Sequence, residues 1–373
     1  MSDLWILGIG DDEEEAPQPA RRHRRKQRRR RGPLGGLLAI VVILGLVAGI
    51  FYGGRAVLDT VGATPDYAGQ GQGSVTIEVK DGDTARDIAV TLVKSGVIKS
   101  EKAFNDTARD DVRALSIQPG FYTLRRHMSG ANAFALILDP ASRSGRVTVP
   151  EGETVADTLA LLAKKSGVSL ADLQAAAKDG PALGLPGYAR GHSEGFLYPT
   201  TYDFPKGGKA RDMLRKMVSA FGENVDQATL TQGARALRRT PYDVLIVASL
   251  VEKEGITDDF PKIARVLYNR LDQGMNLQLD STVNYALHRN NIKVTQAQID
   301  AAAHSPYNTY QRAGLPPTPI SNPGLDAVNA ALHPAAGQWL YFVKASKDGH
   351  SAFAVTLAEH DANVARARAA GVF

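Results

Sequence analysis

Apolar and polar positions alternate in different ways along the chain, and each regime predicts a different element. From Leu34 to Tyr52 no charged residue occurs, and Leu, Ile, Val, Ala and Gly dominate. That run is close to the roughly 20 residues a helix needs to cross a bilayer, so a membrane-spanning helix is predicted over residues 33–53; a cleaved signal peptide is the competing reading, though the run is long for one and lacks a small-residue cleavage pattern. Alternation with a period of two begins at Val75-Thr76-Ile77-Glu78-Val79 and predicts a strand. Gly82-Asp83-Thr84 and a helical run from Ala85 to Lys94 follow it. The same order recurs at Val147-Thr148-Val149, Gly152-Glu153-Thr154 and Val155 to Lys165, with Ser166-Gly167-Val168 answering Ser95-Gly96-Val97. A strand, turn and helix unit is therefore used twice, with Thr84 and Thr154 as helix caps. Further helical patterns lie at Ala210 to Phe221 and after Pro261, where Ile263, Val266, Leu267 and Leu271 share a face closed by Gly274. Trp339 to Val343 predicts a buried strand.

The stretch Thr240 to Gly255 carries the clearest helix. Thr240 suits the N-cap, Pro241 the first helical position, Asp243 the first-turn dipole and Gly255 the C′ position. Val244, Leu245, Ile246, Val247, Leu250 and Val251 cover most of its circumference, which predicts a central helix packed on several sides. Two carboxylates then sit on its last turn. On the helical wheel Glu254 falls between Val247 and Leu250, whereas Glu252 falls on the side of Leu245 and Ala248. A carboxylate at a helix C-terminus in apolar surroundings has its pKa raised by the dipole and by desolvation, as a general acid near neutral pH requires. The same pattern also fits a frayed, exposed helix end with Lys253 in solvent, and periodicity alone does not separate the two. For Glu252 a structural partner is expected on the following helix, Arg265 or Arg270.

Length, charge and composition narrow the classes. A chain of 373 residues with 43% hydrophobic and 22% charged positions can bury more than one core. The net charge of +5 carries a surplus of three from residues 1–32, where nine Lys/Arg meet six Asp/Glu, leaving +2 for the rest. No nucleic-acid partner is implied by so small a remainder. The block Arg21 to Arg31 cannot pack and predicts a disordered basic tail over residues 1–32. Set beside the apolar run, it orients the chain with its N-terminus in the cytoplasm and everything after Gly53 on the extracytoplasmic side of the cell membrane. Residues 54–73, ending in Ala68-Gly69-Gln70-Gly71-Gln72-Gly73, predict a flexible linker. Cysteine is absent, which excludes disulfides, thiolate metal sites and cysteine nucleophiles. The histidines show no metal-ligand spacing and read as hydrogen-bonding scaffold.

Two resemblances sharpen this picture. The first repeat unit, within residues 74–145, resembles a LysM module, a small βααβ fold that binds N-acetylglucosamine polymers. Over roughly residues 75–365 the chain resembles the endolytic murein transglycosylases, the YceG-like family of membrane-anchored peptidoglycan lyases. The resemblance rests on Glu194 to Pro199, Ala248 to Glu254, Asn269-Arg270-Leu271, Leu277 to Asp280, Tyr307-Asn308-Thr309-Tyr310, Gly314 to Pro317, His333-Pro334-Ala335 and Tyr341-Phe342-Val343, in family order. Departures are Gly255 where Thr or Ala is usual, Ser281 where Pro is common and Thr318 where Gly is common. The resemblance implies an α+β protein with one N-terminal membrane helix, a LysM-like subdomain over 74–145, and a mixed α/β catalytic domain over 146–373 built around the buried helix.

Carried onto this chain, it makes Glu254 the catalytic acid/base and Glu252 structural support. Gln278, Asp280, Tyr307, Asn308 and Tyr310 are candidates for holding the sugar, although Tyr307 and Tyr310 could equally be core aromatics. The implied reaction cleaves the MurNAc–GlcNAc bond and leaves 1,6-anhydro ends. It needs no metal or organic cofactor, and the implied partners are glycan strands, the membrane and cell-wall synthases. A hydrolytic muramidase using Glu252 or Asp280 as second carboxylate, and a non-catalytic wall-binding scaffold, are the alternatives.

Overall fold

The protein is described here by a computed structural model covering residues 33–61, 64–289 and 294–372. The predicted basic tail, residues 1–32, lies outside the described residues. The chain forms two compact units that meet in sequence at Ala63 and Thr64.

The first unit contributes helix α1, Pro33–Val61, which runs past the predicted boundary at Gly53. Its described side chains, residues 40–54, are apolar or small and exposed. Among the described residues no helix is long and apolar enough to cross a membrane.

The second unit opens with a βααβ arrangement: β1 (Gln70–Val79), α2 (Ala85–Lys94), α3 (Glu101–Arg109) and β2 (Gly120–Met128). Strands β1 and β2 are antiparallel, with Val79 opposite Gly120 and Gln70 opposite Met128. Thr84 caps α2 in a capping box with Asp87. Helix α4 (Gly130–Leu138) and the short β3 (Arg143–Ser144) complete this part. Ile77, Leu92, Phe104, Leu124 and Phe134 form a core of their own.

The flexible linker expected over 54–73 is corrected in its second half. Residues 70–73 are strand, and the chain from Thr64 onward is docked: Ser100 donates to the Pro65 carbonyl, and Asp66 accepts from the N–H of Gly130 at the start of α4. The glycines read as flexible are positioned ones. Gly71 has φ +69°, and a Cβ there would lie 2.4 Å from the Arg126 carbonyl oxygen.

The repeat then recurs with longer insertions. β4 (Arg146–Thr148) leads through Thr154, again a cap, into α5 (Val155–Ser166), α6 (Leu170–Ala177) and α7 (Gly180–Leu183), and β5 (Thr201–Asp203) returns antiparallel to β4. This second copy shares its core with helices that follow: α8 (Ala210–Asn224), α9 (Gln227–Ala236), α10 (Pro241–Glu254), α11 (Phe260–Asp272), α12 (Asp280–Ala286) and, after α13 (Gln296–Ala301), which buries no residue, α14 (Leu325–Leu332). A β6 (Tyr341–Lys344) and β7 (Ser351–Ala354) hairpin and α15 (Leu357–Ala369) end the described chain. The expected buried strand at 339–343 is thus a half-buried hairpin strand; a two-stranded sheet has too few neighbours to enclose it.

Helix α10 is the centre of this core. Tyr242 and every residue from Val244 to Val251 are buried, and α9, α11, α12 and α14 surround it. Thr240 and Asp243 form a capping box and Pro241 opens the helix, as the sequence indicates. Gly255 differs. It is extended (φ −154°) rather than left-handed, and its reason is space: a Cβ would lie 2.3 Å from Cδ1 of Ile263 on α11.

Candidate active site

Where α10 ends, its two acids diverge as the helical wheel requires. Glu254 is half-buried and faces α12, and the Ser281 hydroxyl donates to its Oε1 at 2.5 Å. Desolvation is the largest influence on its carboxyl and raises the pKa to about 7. The hydrogen bond from Ser281 opposes that rise, and the negative charge of Asp280 adds to it.

Glu252 turns the other way. The expected pairing with Arg265 or Arg270 is not formed. Glu252 Oε2 instead accepts from the N–H of Gly324, the N-cap residue of α14, at 2.9 Å. Burial raises its pKa, with Glu151 and Asp326 contributing like charge. The two arginines serve carbonyls: Arg265 donates to Ala335 and Pro334, and Arg270 to Leu340, Asn276 and Leu277 and to the Gln278 side chain. A helix C-terminal acid and a helix N-terminal amide make the simpler pair, because the N-terminus of α14 offers positive dipole without a second buried ion.

The loop before α12 and the 305–310 loop form the wall facing Glu254. Thr309 fastens them: its carbonyl accepts from Gln278 N, and its hydroxyl accepts from Leu279 N and lies 2.8 Å from that of Thr282. Gln278 adopts a left-handed φ of +54° and its side chain is exposed. Asp280 accepts the Tyr310 hydroxyl at 2.6 Å and the Val294 N–H at 3.2 Å. Tyr310 feels both Asp280 and Glu254, and burial and these charges together hold its hydroxyl well above the usual tyrosine range. The structure therefore brings Glu254, Asp280 and Tyr310 into one cluster, with Gln278 on its exposed rim.

Tyr307 and Asn308 stand apart from that cluster. The Tyr307 hydroxyl lies 2.8 Å from that of Thr318, and its ring is 4.9 Å from Tyr285. Asn308 is fully enclosed; its amide donates to the Ile299 carbonyl and its oxygen accepts from Tyr310 N. In this geometry Asn308 shapes the loop that presents Tyr310.

Three residues had no role assigned from sequence. Ser281 was noted only as a departure from a proline. Asn322 joins loops distant in sequence: its Oδ1 accepts from Gly195 and Leu197 N–H, and its Nδ2 donates to the Glu153 carbonyl. Glu194 is 9% exposed and holds the Val155 N–H on Oε1 and the Tyr285 hydroxyl on Oε2, both at 2.9 Å. Burial dominates and lifts its pKa to about 7. A carboxylate directly before Gly195-Phe196-Leu197, a run of fully buried apolar side chains, was the available signal.

A family model described as the YceG-like family matches residues 77–366. An endolytic murein transglycosylase of Streptococcus pneumoniae serotype 2 is 30% identical over 365 residues, spanning 88% of this chain and 64% of that protein. The chain thus covers just under two thirds of the pneumococcal relative. The endolytic murein transglycosylase of Bacillus subtilis strain 168 is 31% identical over 344 residues, 85% of this chain and 89% of that one. The crystal structure of a yceG-like protein from Listeria monocytogenes aligns with a TM-score of 0.54 and 28% identity, covering 78% of this chain and 98% of that chain. The matched span runs from the end of β1 through the second repeat unit, the central helix with Glu254 and every wall of the candidate site, and on this basis the chain belongs to the YceG-like family.

Proposed function

We propose that this protein is an endolytic lytic transglycosylase that cuts the MurNAc–GlcNAc bond of nascent peptidoglycan strands and so ends their elongation. The observation that carries the reading is Glu254, a carboxyl lifted to about 7 on the end of an apolar helix and fixed by Ser281. Such a group is protonated in a useful fraction at neutral pH and can give up and retake a proton in one cycle.

As acid, Glu254 protonates the glycosidic oxygen as the C1–O bond breaks, and the GlcNAc hydroxyl leaves. The N-acetyl carbonyl of MurNAc supports the positive charge developing at C1. As base, Glu254 then takes the proton of the C6 hydroxyl, whose oxygen closes onto C1 to give the 1,6-anhydro end. Water is neither consumed nor released, and Glu254 returns to its starting protonation state. Asp280 and Tyr310 beside it, and Gln278 at the rim, are assigned to the sugar's hydroxyl and acetamido groups; Tyr307 is a weaker candidate because it stands apart from that cluster, against Thr318 and Tyr285.

A hydrolytic muramidase is the second reading, and Asp280 is what favours it, being near enough to Glu254 to raise its pKa. Against it, both Asp280 oxygens are engaged, by Tyr310 and by Val294, which leaves a poor general base for water. Mass spectrometry of muropeptides released by the purified protein separates the readings. Anhydro ends support transglycosylation, and reducing ends, one water heavier, support hydrolysis. Unchanged cleavage in Glu254→Gln would remove Glu254 as the acid, and no release by the parent protein would leave only a wall-binding scaffold.

The reading includes an anchor and an address. The uncharged run from Leu34 to Tyr52 and the basic block before it support a single membrane pass, with the catalytic part extracytoplasmic beside newly made strands and the synthases that extend them.

A further inference from the structure

We propose that Glu194 is a positioning residue for the reaction: it holds Tyr285, and through Tyr285 the helix α12, so that the first turn of α12 is aimed at Glu254. The proposal rests on the assignment of Glu254 as the acid.

Helix α12 has 7 residues, and its N-cap, Leu279, supplies no side-chain bond. So short a helix has little stability of its own, and its place is set by what grips it. Ser281 and Tyr285 are one turn apart and share a face. Ser281 reaches Glu254 on α10, and Tyr285 reaches Glu194 in the turn before Phe196. The second oxygen of Glu194 is occupied by the Val155 N–H at the start of α5, so the carboxylate is fixed from both sides. A continuous chain of bonds therefore runs from the N-terminus of α5 through Glu194, Tyr285 and Ser281 to Glu254. The Tyr285 ring is also held against Tyr307, which leaves it little freedom to turn away.

Burying a carboxyl so completely is a costly way to hold a tyrosine if only packing is needed. Two bonds on one buried carboxyl fix its direction more firmly than packing alone, which suits a part that sets geometry. The charged and titratable groups that act on Glu194 are Asp157, Tyr285 and Tyr242; those that act on Glu254 are Asp280, Lys253 and Tyr310. None joins the two acids directly, so coupling between them passes through α12.

The test uses full-length protein labelled with 13C at glutamate side-chain carboxyls, with the Glu254 signal identified by its loss in Glu254→Gln. Ser281 lowers the Glu254 pKa, whereas burial and Asp280 on the same turn of α12 raise it, so a change that turns that turn away alters all three. Glu194→Gln and Tyr285→Phe are expected to displace the Glu254 titration, and Ser281→Ala, which removes the hydroxyl alone, to raise it. The first two variants should also lower kcat about tenfold to hundredfold with KM little changed, as misplacement of a reacting group does. The double variant should be no worse than the more impaired single one. An unmoved Glu254 titration in the folded variants overturns the proposal, whatever happens to thermal stability. Should Glu194→Gln not fold, Tyr285→Phe, which keeps its ring against Tyr307, decides alone. Full turnover in Glu254→Gln would instead break the acid assignment, and the titration, which needs no turnover, would still judge whether Glu194 sets α12.

Discussion

The Ser281 hydroxyl donates to Glu254 Oε1 at 2.5 Å, so the first turn of α12 reaches the candidate acid directly. Desolvation and Asp280 push the Glu254 pKa up, Ser281 pulls it down, and about 7 is the balance.

Ser281→Ala removes the pull, and the Glu254 pKa rises further. Because the first step needs the protonated acid, the alkaline limb of kcat/KM should move to higher pH. Ser281→Pro is tolerated in a first helical turn and removes the backbone N–H that also favours the charged form, so its shift should be the larger. A limb that stays in place in both variants would mean that another group titrates.

Stability should carry the imprint of the two buried acids. The folded-state values of Glu194 and Glu254, about 7, lie above the ordinary 4.5. Their protonated forms are therefore favoured in the fold, and stability is lost as pH rises from about 4.5 through 7. Scanning calorimetry at pH 5 and pH 8 should show a smaller fall in Tm for Glu194→Gln and for Glu254→Gln than for the parent. Parallel curves for parent and variants would contradict the assigned burial.

Glu252 should behave as a cap. Glu252→Ala leaves the Gly324 N–H at the start of α14 without its acceptor, a loss of about 1–2 kcal/mol in denaturant unfolding. Glu252→Gln keeps an acceptor and relieves repulsion from Glu151 and Asp326, so its stability should match or exceed the parent's. Both should retain turnover per folded molecule. A stable, inactive Glu252→Gln protein would move the acid role to that side of the helix.

Gly255→Ala brings a Cβ against Cδ1 of Ile263 and should cost about 1–3 kcal/mol by overpacking. Ile263→Val removes the offending atom. The double variant should lose less stability than the sum of the two singles, and strict additivity would show that the clash is absorbed elsewhere.

The central helix was legible because everything that defines it is local: Thr240 and Asp243 cap it, Pro241 opens it, and its apolar circumference says it is enclosed. The choice of Glu254 over Glu252 came from the family resemblance; the wheel said only that the two acids point in different directions. The wheel gives a direction and not a neighbour, which is why Glu252 was paired in expectation with arginines of the next helix while Gly324, far along the chain, holds it. Glu194 was opaque for the same reason. Its partners, Val155 and Tyr285, are distant in sequence, and nothing beside it announces them. Gly71 shows the opposite failure, a composition read as flexibility where a positive φ lets the strand approach Arg126 and Met128.

Asn322 has a consequence for the order of assembly. Its side chain closes one link of 127 residues to Gly195 and another of 169 to Glu153. Contacts so remote in sequence form late, because the entropy of closing those loops comes before any contact repays it. The α10 end, the second repeat's turn and the loop before α14 can therefore lock together only once the ribosome has released the chain well beyond residue 322. On the proposed function, a site that cuts the wall would be completed only after that release, with its timing set by topology.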